Sequence, residues 1–130
     1  MQLFRQTSNL TKMVSLSTSE IKIMAFECSI PAVPTVQRDD ADVRITRWDF
    51  LPGAVTGWHG HDWPYFVVML TDALMRVHDG AHVQEFPRKA GDSYGRMAGV
   101  KHDVMNGSDT PMAFIEIEIK RPEALSFSGN

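Results

Sequence analysis

The sequence predicts an all-β domain, on three observations. Short runs alternate apolar and polar residues, turn signals separate them, and no ten-residue segment has a convincing 3.6-residue period. Short strands broken by turns are the pattern of a sandwich or a barrel. A length of 130 residues fits one domain, large enough to bury a core without staples.

The first 23 residues, MQLFRQTSNLTKMVSLSTSEIKI, differ from the remainder of the chain: they are rich in Ser and Thr and hold three basic residues and one acid. They lack the apolar run of about 7–15 residues that a secretory signal requires, and Arg5 alone is too little for an Arg-rich transit peptide. Three readings stay open: an arm, a strand lent to a partner's sheet, and a true start at Met24. The expected organisation is an arm or extension over 1–25, a barrel over 26–122 and a tail over 123–130.

VRITRWDF (43–50) alternates Val43 and Ile45 with Arg44 and Thr46, the pattern of a half-buried strand. LPGAVTG (51–57) is a turn signalled by Pro52-Gly53. YFVVML (65–70) is a short apolar run of β-forming residues, and ALMRVH (73–78) comes next as another strand. DGAH (79–82) supplies an Asp-Gly hairpin turn, with VQEF (83–86) as the return strand and PRKAGD (87–92) as a loop. MAFIEIEIK (112–120) alternates strictly, with Ile115, Ile117 and Ile119 on one face and Phe114, Glu116 and Glu118 on the other. SIPAVPTV and the tail RPEALSFSGN are Pro-spaced and read as edges or arms.

Thirteen basic and sixteen acidic residues give a net charge of −3 without a long run of either sign. Nucleic acid needs a concentrated basic patch, so it is not an expected partner. Nor is a membrane, because no apolar stretch approaches the roughly 20 residues of a spanning helix. Cys28 is the single cysteine, which permits no intramolecular disulfide and points to a reducing, cytoplasmic location. It lies in AFECSIPAVP with no neighbouring base and is read as inert rather than nucleophilic.

GWHGHDWPYFVVML (57–70) carries two histidines one residue apart. In a strand, residues i and i+2 share a face, so His59 and His61 can converge on a metal. Alone the pair is weak, because strand histidines are often satisfied by water or backbone. A second stretch, GDSYGRMAGVKHDVMN (91–106), adds glycines at 91, 95 and 99, then His102 and Asn106.

Together the two stretches resemble the motifs of the cupins. The first motif is matched by Gly53, five residues, then His59-Gly60-His61. The second is matched by Gly91, five residues, Met97 in the place of a proline, then Gly99, His102 and Asn106. The first motif then departs: its glutamate position falls on Tyr65 or Phe66, and its closing glycine is Ala73. The resemblance covers roughly residues 43–119, and its texture is similar to that of small stand-alone cupins of the conserved-barrel type, among them a group associated with β-alanine degradation.

The resemblance implies a double-stranded β-helix, the RmlC-like jelly-roll barrel, and a homodimer in which the N-terminal segment can pair across the interface. It implies one divalent transition metal per chain, Fe, Zn, Ni or Mn, on His59, His61 and His102. The missing glutamate leaves the dication uncompensated and positions open, the layout of a catalytic rather than a structural site. Candidate replacements are Tyr65, Asp62, Glu116, Glu118 or water, although solvent-facing glutamates on an edge are the ordinary expectation. Trp48, Trp58, Phe66, Met97 and Asn106 are expected to line the pocket, and Tyr65 is the candidate proton carrier. Trp63 is a further wall or interface residue. Met69, Met75, Met105 and Met112 read as adaptable lining or as core. His78 and His82 flank the hairpin turn and are expected to be solvated there. The leading function is a metal-dependent enzyme, of oxygenase or isomerase type, acting on a small anionic or chelating metabolite. The rivals are a non-catalytic small-molecule barrel and a structural barrel with a vestigial site.

Overall fold

The computed structural model describes residues 16–27 and 29–124. One helix, α1 (Thr18–Glu27), precedes nine strands: β1 (Val33–Asp39), β2 (Val43–Phe50), β3 (His59–Gly60), β4 (Tyr65–Met69), β5 (Ala73–His78), β6 (Val83–Arg88), β7 (Ser93–Arg96), β8 (Lys101–Asn106) and β9 (Met112–Ile119). They form two antiparallel sheets, ordered β1-β2-β9-β4-β7 and β3-β8-β5-β6. The core lies between them, built from Phe50, Val67, Met69, Met75, Met112 and Phe114. This is the double-stranded β-helix that the resemblance implied.

Strands β2 and β5 coincide with the expected segments, because alternation and flanking turns mark both ends. Gly53 closes the Pro52-Gly53 turn with φ 78°, a conformation that favours glycine. The Asp79-Gly80 hairpin is held by Asp79 Oδ1, which accepts from the amides of Ala81 and His82 at 2.9 and 2.8 Å. Strand β1, from the Pro-spaced segment, pairs only with β2 and is exposed along its length, as an edge strand.

Two expectations are corrected. Residues 18–27 are helical, where no ten-residue segment showed a convincing helical period. Their apolar residues run almost consecutively, so no stripe appears, and only Phe26 is buried, against Val55, Met105 and Val83. The legible signal was a capping box: Ser17 Oγ accepts from the Glu20 amide at 3.1 Å and Glu20 Oε2 from the Ser17 amide at 2.7 Å. The helix crosses the expected boundary between 25 and 26. Residues 1–15 and Cys28, including the reading of that cysteine as inert, lie outside the described residues.

The second correction concerns β9. It is a central strand, between β2 and β4, and its inward side chains are Met112, Phe114, Glu116 and Glu118. Ile115 and Ile117 face outward, paired with Val68 and Phe66 of β4. The two glutamates are each only 8 % exposed. No helix among the described residues is long and apolar enough to cross a membrane.

Candidate metal centre

Two-residue β3 pairs with β8 so that His59 stands opposite His102. Directly opposed residues share a face of the sheet. Beyond β3 the pairing continues, with the His61 amide donating to Val100 O at 2.9 Å and the Gly99 amide to His61 O at 2.8 Å. His61 therefore joins the same face by the two-residue period. The three rings converge: His59 Nε2 is 3.0 Å from His61 Nε2, and His61 Nε2 is 3.2 Å from His102 Nε2.

The outer nitrogens fix the tautomers. His59 Nδ1 lies 2.8 Å from Gly57 O, and a carbonyl only accepts, so the hydrogen is on Nδ1 and Nε2 keeps its lone pair. His61 Nδ1 faces Glu118 Oε1 at 3.3 Å, with the same consequence. Two lone pairs facing each other at 3.0 Å repel unless a cation lies between them. With metal–nitrogen bonds of about 2.0–2.1 Å, separations of 3.0 and 3.2 Å correspond to angles of about 95–105° at a shared ion. The donor set thus fits a transition metal bound through imidazoles, with carbonyl and carboxylate behind them.

Burial, then the charges of its histidine neighbours, lowers His102 to a pKa of about 3, and burial also lowers His59. Both rings are neutral ligand donors at neutral pH. Glu116 Oε2 lies 3.9 Å from His61 Nε2, and Glu118 Oε2 lies 3.7 Å from Arg44. Burial pushes the Glu116 carboxyl above its usual range, and Glu118 adds to this. Asp62 is exposed and takes no part. His61, Glu116 and Glu118 form a second group of potential ligands that shares His61 with the first.

Tyr65 points inward and stacks on His61 with ring centroids 3.9 Å apart. Its hydroxyl is buried without a partner, and burial pushes its pKa up. At neutral pH it is a phenol, a donor rather than an anionic ligand. The indole N–H of Trp48 is buried near Glu116 without a closed hydrogen bond.

The other expected lining residues are elsewhere. Trp58 is on the outside, stacked on His78 at 5.2 Å, and Phe66 faces outward on β4. Met97 is 78 % exposed. Asn106 is fully buried but acts as a staple: Nδ2 donates to Thr110 O at 2.8 Å, and Oδ1 accepts from the Ser108 amide at 2.9 Å. Their spacing in the motif carries no information about which face they occupy. His82 is exposed, but His78 is buried beside Asp103, with Nε2 3.7 Å from Oδ2, under Phe26.

A cavity of about 140 Å³ borders His102 and is also lined by Tyr65, Gln84, Arg88, Tyr94 and Arg96. Gln84, Arg88, Tyr94 and Arg96 hold no defined position in the histidine motifs, and β6 runs on to Arg88, where a loop was expected. A larger hollow, about 630 Å³, lies on the outer side of the second sheet under α1 and contains none of the three histidines. The converging donors mark the smaller one as the chemical site.

Known proteins agree with this architecture. The chain is 47% identical over 89 residues to the beta-alanine degradation protein BauB of Pseudomonas aeruginosa, covering 68% of this chain and 94% of that protein. The crystal structure of a cupin domain from Bordetella pertussis superposes with a TM-score of 0.69 and is 42% identical, covering 72% of this chain and 97% of that one. An RmlC-like cupin with a double-stranded β-helix fold from Methanocaldococcus jannaschii, 13% identical, shares the fold at a TM-score of 0.58, over 71% of this chain and 83% of its own. No family model matches the sequence.

Proposed function

For a chain that belongs to the cupin superfamily, we propose that the protein binds one divalent transition metal and is a metal-dependent enzyme acting on a small anionic or chelating metabolite. The observation that carries this reading is the meeting of three imidazole Nε2 atoms at 3.0 and 3.2 Å, with the lone pairs of His59 and His61 left free by the partners of their Nδ1 atoms. His59, His61 and His102 would hold the metal, which would supply Lewis acidity or, if iron, oxygen activation as in three-histidine dioxygenases of this superfamily.

The chain's own residues provide the rest. Gly57 O and Glu118 orient the His59 and His61 rings. Tyr65, kept protonated by burial, offers a proton at its phenolic oxygen, and Glu116, beside His61, is a carboxyl able to take or return one. Met75, Val77 and Val104 give the same space apolar walls. The name of the Pseudomonas relative supports a role in small-metabolite degradation.

Elemental analysis of protein purified without chelator, beside His59→Ala/His102→Ala, tests the metal. Close to one ion per chain, lost in the double variant, is expected. No uptake by the wild type after incubation with Fe(II), Mn(II), Ni(II) and Zn(II) overturns it, and leaves a non-catalytic barrel.

We also read the protein as a cytoplasmic homodimer. Its support is the apolar outer face of the five-stranded sheet, where Val33, Phe66 and Leu70 are 60, 52 and 41 % exposed. Phe66→Glu converts the dimer to monomer in light scattering; an unchanged mass in that variant removes this face as the interface.

A further inference from the structure

Seven arginines lie among the described residues. Five of them, Arg38, Arg44, Arg47, Arg76 and Arg121, meet carboxylates at 2.6–3.2 Å. The other two, Arg88 and Arg96, have no acidic partner among the described residues, and both border the cavity beside His102. Arg88 sits over the Tyr94 ring at 4.1 Å and Arg96 at 5.0 Å from its centroid. A guanidinium cannot shed its charge, so two of them on one ring repel each other.

Stacking on Tyr94 is the ordinary explanation. It does not account for Arg88 Nε, which is buried and has no hydrogen-bond acceptor. Buried donors in native proteins are nearly always paired. Tyr65 adds a second orphan donor on the same cavity, its buried hydroxyl. The acid on the lining, Asp79, spends Oδ1 on its own turn, and Lys101 contributes one more cation. The lining thus carries three cations against one carboxylate, and its buried Arg88 Nε and Tyr65 hydroxyl lack acceptors.

We propose that this cavity is a carboxylate-binding subsite, in which Arg88, Arg96 and the Tyr65 hydroxyl receive the carboxylate of a short aliphatic acid whose far end reaches His102. The proposal deepens the functional reading above and rests on its choice of this cavity as the ligand chamber. Size narrows the class further. A space of about 150 Å³ takes a benzene-sized molecule, so 140 Å³ sets a ligand of about six non-hydrogen atoms. Planar carboxylates suit the fork of a guanidinium, and two such forks make charge and geometry selective together.

Calorimetric titration of the full-length protein with propionate and with its neutral isostere propionamide tests the proposal, first metal-free and then after exposure to Zn(II). Propionate is expected to bind metal-free protein at least about tenfold more tightly than propionamide, the usual worth of a charge-assisted bond. Arg88→Met and Arg96→Gln should each weaken propionate about tenfold and leave propionamide unchanged. Arg96 is exposed, so its variant keeps the test valid if Arg88→Met does not fold. Equal binding of the two probes, no binding of propionate, or wild-type affinity in Arg96→Gln overturns the proposal. Arginine-dependent propionate binding with no uptake of Fe(II), Mn(II), Ni(II) or Zn(II) would sink the metal reading alone, and metal uptake without such binding would sink the subsite alone.

Discussion

Glu118 Oε1 lies 3.3 Å from His61 Nδ1, inside the barrel, although the two residues are 57 positions apart. A carboxylate in this position holds the imidazole in one tautomer and raises its basicity as a ligand. Replacing it with Gln keeps the size and removes the charge. Glu118→Gln is expected to lower metal affinity about 10–100-fold, the usual loss for such a partner. Competition against a chromophoric chelator measures it, and undiminished affinity would mean that Glu118 does not support His61.

Protonation gives a second expectation. Burial, then His59 and His61, holds His102 neutral down to about pH 3, while an unfolded histidine takes its proton near 6.5. Between those values the unfolded chain binds more protons, so stability is full above about pH 6.5 and falls as the pH drops toward 3. Denaturant midpoints of the metal-free protein should fall across that window, and less steeply in His102→Asn. Parallel curves for the two proteins would refute this assignment of the acid sensitivity.

Tyr65→Phe separates stability from function. The hydroxyl is buried without a partner, and leaving such a group unsatisfied costs about 1–3 kcal/mol. The variant should melt at the same temperature or higher, retain the ring against His61, and bind propionate more weakly. A clear loss of stability would show that the hydroxyl has a partner in the folded protein.

Asn106→Ala should do the reverse. Its side chain joins β8 to the carbonyl of Thr110 and the amide of Ser108. Losing these buried bonds is expected to cost about 2–4 kcal/mol, while the folded variant keeps its metal affinity. Thermal denaturation and metal titration of one sample decide the matter; lost affinity with unchanged stability would put Asn106 in the site after all.

Phe26→Ala probes α1. An isolated helix shorter than about 12–15 residues is marginal in water, and this ten-residue helix buries one side chain. Truncating a buried Phe commonly costs about 3–5 kcal/mol, more than such a contact can spare. The helix should undock, with loss of helical circular dichroism, while β-strand amides remain protected from exchange. Retained helicity would mean that other contacts hold α1.

The sequence by itself determined the strands whose ends are marked by turns, such as β2 and β5. It also determined the spacing that brings His59 and His61 to one face, because a strand's period of two is a local property. The partnership of His102 was legible only through its resemblance to a motif; the register that opposes it to His59 is tertiary. Alternation in β9 likewise established two faces without saying which is inside. Hydrophobicity favours burying Ile115 and Ile117, yet the fold turns Glu116 and Glu118 inward, where His61 and Arg44 give them partners. Phe66 is carried outward by the same registration, and Arg88, outside the motifs, and Arg96, at an unspecified position within the second, are gathered around Tyr94. Local chemistry sets the period of a strand, but only the packing of one sheet against the other decides which half of that period meets the site.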